Sequence, residues 1–141
     1  MTIAQSVFRI SLASTPRSIS RVEGFLKKVG RSVHLDEIQF HKLMVSLTEA
    51  VNNAIVHGNK SDPARKVIVH CEILPRWILL VVCDEGRGFD PGKVGNPLAK
   101  RNLTKDSGRG IFLMRTLMDK VEFTHGKGGT EVRLWLDLGK G

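Results

Sequence analysis

Leu47-Thr48-Glu49-Ala50-Val51-Asn52-Asn53-Ala54-Ile55-Val56-His57-Gly58-Asn59 organises the reading of this 141-residue chain. Stepped at about 100° per residue, Leu43, Leu47, Ala50, Val51 and Ala54 fall on one side of a helix. Ser46, Glu49, Asn52, Asn53 and His57 form a separate polar stripe. That periodicity predicts an amphipathic helix from an N-cap at Asp36 to a terminal glycine at Gly58. Glu49 and Asn53 stand four residues apart, so they point the same way and can address one ligand. The helix alone does not distinguish a ligand-facing stripe from a solvated one.

Working outward, Val7–Leu12 alternates apolar and polar residues as a strand does. Thr15-Pro16 reads as an N-cap followed by a first helical position. The helix it starts carries Ile19, Val22, Phe25, Leu26 and Val29 and stops near Gly30. Downstream, Lys66–Leu74 and Trp77–Asp84 are β-rich runs joined by Pro75-Arg76, a predicted hairpin. Periodicity then disappears from Glu85 to Ser107, a loop long enough to suggest a functional lid at about residues 91–107. A helix is expected over Gly110–Met118. Strands Val121–His125 and Thr130–Leu138 flank the turn Gly126–Gly129. The order predicts a single α+β domain over residues 1–141: a two-layer sandwich with a mixed, mostly antiparallel sheet and helices on one face. Trp77, Leu79, Val81 and Cys83 alternate with Ile78, Leu80, Val82 and Asp84, so both faces of that strand are apolar. The back of the sheet is therefore a candidate homodimer surface.

Composition excludes several classes. Apolar residues make up 41% and charged residues 26%, ordinary globular usage. No apolar run reaches the ~18–20 residues of a membrane helix, and no secretory pattern opens the chain. A cytoplasmic protein without membrane contact is expected. Cys71 and Cys83 are too few for a disulfide framework and are expected to be small buried hydrophobes. The net charge of +8 suits nucleic acid, but aromatics are 6%, Tyr is absent and no Lys/Arg run exceeds two residues. Direct nucleic-acid binding is disfavoured; a polyphosphate or an acidic protein fits the charge as well. There is no GxxxxGK[ST], no third glycine after Gly86-x-Gly88 and no HExxH. The histidines at 34, 41, 57, 70 and 125 are scattered, which argues against P-loop, dinucleotide and zinc chemistry.

Asp84-Glu85-Gly86-Arg87-Gly88 follows an apolar strand, Gly108-Arg109-Gly110 opens the next helix and Gly129-Thr130 enters the last strand. Glycines at element ends let backbone approach a ligand, and a helix N-terminus offers N–H groups to phosphate. Together with Glu49-x-x-x-Asn53, these resemble, in order, the N, G1, G2 and G3 boxes of the Bergerat-fold (histidine-kinase-like) ATPases. Residues 47–59 and 108–114 are most similar to the bacterial anti-sigma factor serine/threonine kinases. The resemblance covers about residues 5–138.

That resemblance implies ATP between sheet and helix. Asp84 accepts from the adenine amino group, which guanine lacks at that position, and Thr130 supports the same edge. Gly86 and Gly88 keep the wall thin, Asn53 ligates Mg²⁺, and Gly108 and Gly110 offer N–H groups to the phosphates. Glu49 is the general base for an incoming hydroxyl. Residues 91–109 carry Lys93, Lys100, Arg101, Lys105 and Arg109 against Asp106, with Lys105 and Arg109 the expected γ-phosphate contacts. The implied partners are an anti-sigma factor antagonist, which receives the phosphate, and a sigma factor or comparable regulator, with Arg21 at the shared surface. The alternative is a non-catalytic protein whose binding is gated by ATP or ADP.

Overall fold

A computed structural model describes residues 6–86, 105–126 and 128–139, with only the backbone at 105–107. The first strand, β1 (Ser6–Ala13), leads through a 3-10 turn (Pro16–Ile19) into α1 (Ser20–Gly30). Thr15 is extended but its side chain caps nothing. Ser18 Oγ instead donates to Ala13 O at 2.6 Å, and the helical stretch starts tight before relaxing to α geometry. Next come α2 (Glu37–Asn53), a π turn (Ala54–Gly58), β2 (Lys66–Ile73), β3 (Trp77–Asp84), α3 (Lys105–Leu117), β4 (Lys120–Gly126) and β5 (Gly129–Asp137).

The strands form a five-stranded sheet in the order β1-β2-β3-β5-β4. All four pairings are antiparallel, so the described strands supply no parallel pair to the mixed sheet expected. Alternation decides which side is covered. Leu12, Val67, Val69, Cys71, Ile73, Ile78, Leu80, Val82, Val132, Leu134 and Leu136 share a core with residues of all three helices. The α+β sandwich is thus built as the periodicities require. Among the described residues no helix is long and apolar enough to cross a membrane.

The back of the sheet departs from expectation. Leu79 and Val81 face away from the helices, yet are only 4% and 6% exposed. Their cross-strand neighbours are Glu72 and Trp135, and His70 and Arg133. Those side chains are held in place: His70 Nε2 to Glu72 at 3.2 Å, Arg133 Nε to Glu131 at 2.7 Å and Trp135 Nε1 to Glu122 at 2.8 Å. Trp77 meets Trp135 edge to face, with centroids 6.1 Å apart. Long charged stems and two indoles cover the apolar rows, so the back is not the open apolar patch that the strand pattern suggested. Cys71 is fully buried, with its thiol pushed up to about 12, first by burial. Cys83 is half-buried on the back and raised to about 11 for the same leading reason.

Candidate functional site

The phase of α2 is set at its start by a capping box: Gln39 N donates to Asp36 Oδ1 at 2.7 Å and Asp36 N donates to Gln39 Oε1 at 3.0 Å. Leu43, Leu47, Ala50 and Val51 then turn into the core, which leaves Glu49 and Asn53 half-buried on one side and Asn52 exposed. Ser46 does not belong to this stripe. It is 0% exposed, and its hydroxyl has no hydrogen-bond partner among the described residues.

After Asn53 the helix widens by one residue. Asn59 N donates to Ala54 O and Ser61 N to Ile55 O, both at 2.8 Å. The left-handed residues that end the element are Lys60 and Ser61, with φ of 54° and 56°. Gly58 is therefore not the left-handed cap that its position suggested. Its need is for room: a Cβ there would overlap the Asp84 carboxylate.

Asp84 ends β3 on the helix-covered face, paired with Val67, so a carboxylate completes an otherwise apolar row. Oδ1 accepts from Gly86 N at 3.1 Å and Thr130 N at 3.0 Å. The group is 9% exposed. Burial raises its pKa above the ordinary carboxylate value, opposed by those two N–H donors, His125 and Arg65. Three glycines fit around it. A Cβ on Gly86 would overlap the Gly58 carbonyl, and one on Gly129, whose φ is +125°, would overlap the Asp84 carbonyl. The glycines admit backbone to van der Waals contact around one buried anion.

The second cluster lies one π turn back along the chain. Gly110 of α3 faces α2, where a Cβ would lie 2.8 Å from Glu49 Oε2 and 3.4 Å from Asn53 Nδ2. The helix begins at Lys105 rather than at the Gly108–Gly110 pair, so Gly110 sits more than a turn inside, with its N–H in the helical ladder. Its observed part is to let α3 close on Glu49 and Asn53 rather than to open the helix. Gly108 stands near the end of the first turn, and Arg109 is exposed on the same helix. Only the backbone of Lys105 is described; Gly88 and the basic residues Lys93, Lys100 and Arg101 lie outside the described residues, as does the expected lid except for 105–107.

Asn59 is the structural residue that sequence reasoning missed. It is fully buried: Nδ2 donates to Ser14 Oγ at 2.8 Å and Lys66 O at 2.9 Å, while Oδ1 accepts from Glu85 N at 2.8 Å. One satisfied amide thereby ties the end of the π turn to β2 and to the segment that leaves β3. Its only sequence signal was an asparagine directly after a predicted helix end. Arg21 lies elsewhere, on α1, in a groove against β1 formed with Val7, Arg9, Ile10, Phe25 and Lys28. Its Nη1 reaches Ser11 O at 3.4 Å.

The site thus pairs a glycine-lined cradle around the buried Asp84 carboxylate with a carboxylate and amide at Glu49 and Asn53. Known proteins resemble the chain as a whole. Residues 12–136 match the model of the histidine kinase-like ATPase domain. The chain is 34% identical over 110 residues to the anti-sigma F factor of Oceanobacillus iheyensis, covering 75% of this chain and 73% of that one. It is 30% identical over 132 residues to the serine-protein kinase RsbW of Staphylococcus epidermidis, covering 86% and 80%. Among solved structures, the RsbU and RsbW domains of Rv1364c from Mycobacterium tuberculosis superpose with a TM-score of 0.70 at 19% identity. That match spans 94% of this chain and 32% of the other, a likeness of fold. With the family model over nearly the whole sequence and these relatives beside it, the chain belongs to the histidine kinase-like ATPase domain family and, within it, to the anti-sigma factor serine-protein kinases.

Proposed function

We propose that the chain binds Mg·ATP in the Asp84 cradle and passes the γ-phosphoryl group to a serine or threonine of an anti-sigma factor antagonist. In the same cytoplasmic role it holds a sigma factor or comparable regulator. The observation that carries the reading is the Asp84 carboxylate, buried and bonded through Oδ1 alone to described groups. An amino group on a purine satisfies Oδ2; a carbonyl in its place does not.

Among the described residues no three His, Cys, Asp or Glu side chains gather as a metal cluster. Magnesium takes few protein ligands and keeps phosphate oxygens and water. Asn53 would supply the amide oxygen, and the ion's charge would screen the phosphates. Glu49, beside Asn53 and Gly110, takes the proton of the attacking hydroxyl as the oxygen–phosphorus bond forms and ADP leaves. Lys105 and Arg109 provide positive charge at the terminal phosphate. Positioning and charge neutralisation dominate such a transfer.

Arg21, with Arg9 and Lys28 in the α1–β1 groove, offers an acidic partner a basic surface away from the nucleotide. The kinase reading is tested with γ-labelled ATP and candidate antagonist proteins. Wild type should label its antagonist, and Glu49→Ala should bind ATP with transfer reduced at least about a hundredfold. Nucleotide-dependent partner binding with no labelling by wild type would leave a non-catalytic, nucleotide-gated protein.

A further inference from the structure

One titratable side chain at the purine end is not accounted for by the motif residues. His125 of β4 stands opposite Thr130 of β5, and its Nδ1 lies 3.3 Å from Thr130 Oγ1. Alternation from Val132 puts both on the helix-covered face. The imidazole stacks on Phe123, with ring centroids 6.5 Å apart and planes inclined by 8°. Phe123 in turn lies under the Arg115 guanidinium of α3 at 5.9 Å. Thr130 is fixed from the other side, its N–H donating to Asp84 Oδ1 at 3.0 Å.

A threonine hydroxyl has one proton to give. If Thr130 gives it to Nδ1, only lone pairs remain for the purine. If Nδ1–H donates to Oγ1, the hydroxyl proton is left for the purine. Adenine, with its amino group on Asp84, presents N1 next to it, an acceptor without a proton. Resting on the reading of Asp84 as the adenine contact, we propose that His125 donates from Nδ1 to Thr130 Oγ1. It is then a positioning residue that makes the Thr130 hydroxyl a donor toward adenine N1, directly or through one water. The neighbouring Asp84 charge favours a proton on this imidazole, while burial opposes a charged ring and holds its pKa below the ordinary histidine value. A neutral ring protonated at Nδ1 meets both conditions.

The test compares ADP with 1-deaza-ADP, in which N1 is a C–H, by calorimetric titration of the full chain. Wild type should bind ADP about three- to tenfold tighter than 1-deaza-ADP, the worth of one net hydrogen bond. His125→Phe, which keeps the ring stack on Phe123 but has no Nδ1–H to orient the Thr130 hydroxyl, should close most of that gap by weakening ADP more than 1-deaza-ADP. Thr130→Val should close it too, and His125→Asn, with an amide N–H near the same place, should restore part of it. A purely structural role would lower both affinities equally and leave the ratio intact. A wild-type gap retained in His125→Phe or Thr130→Val overturns the proposal. Failure of wild type to bind ADP at all would instead overturn the adenine reading beneath it.

Discussion

Asp84 concentrates the conflict between folding and function. A carboxylate at the end of an apolar row costs desolvation, and two backbone N–H groups on one oxygen recover only part of it. Its folded pKa lies above its unfolded value, so protonation favours the folded state. The stability that a neutral group would give is present below the unfolded pKa and lost as pH rises through the folded one. Asp84→Asn should therefore melt higher than wild type at pH 7, by about 3 °C for about 1 kcal/mol. The difference should shrink toward pH 4; equal melting temperatures at pH 7 would remove the desolvation argument. At this scale the sequence was informative where spacing carried the signal. Glu49, Asn53, Asp84 and Thr130 could be picked out because strand ends and helical turns put them at fixed offsets. Asn59 could not, since two of its three partners are 45 and 26 residues away and no local pattern marks a long-range amide.

At the level of elements, the glycines separate room for function from room for folding. Gly110 lies within α3, where alanine has a helix propensity better by about 1 kcal/mol. The group that a Cβ would meet there is the mobile end of Glu49. Gly110→Ala should leave the urea midpoint unchanged or raised, while antagonist phosphorylation falls at least about tenfold because the carboxylate is displaced. Gly58→Ala should behave oppositely: its Cβ collides with the Asp84 carboxylate, so stability and ATP affinity should fall together. Paired denaturation and labelling assays distinguish the two. Helix α3 also shows where pattern reading stops. Three small residues over 107–110 looked like a loop entering a helix, whereas packing of α3 on α2 carries the helix back to Lys105. The π turn was invisible for a related reason: one inserted residue barely changes an apolar periodicity, yet it rotates Gly58 onto Asp84.

The whole molecule is a sheet whose two faces do different work. The helix-covered face is an apolar core that gives way at one end to the Asp84 cradle. The back is polar enough to stand in water because charged side chains lie over Leu79 and Val81. Element order and alternation made the α+β class legible. The cover on the back was not, because alternation reports which side a residue faces but not what its cross-strand neighbours lay over it. The net charge of +8 has a direct reading in this frame, as attraction for a polyphosphate and for acidic partner surfaces. The central claim is that one adenine nucleotide is held by the Asp84 carboxylate at the end of the sheet. Calorimetric titration of Mg·ATP into wild type and Asp84→Asn tests it most directly. The account predicts saturable binding by wild type and at least tenfold weaker binding by a folded Asp84→Asn, the loss of one charge-assisted hydrogen bond; equal affinities, or no heat with wild type, would contradict it.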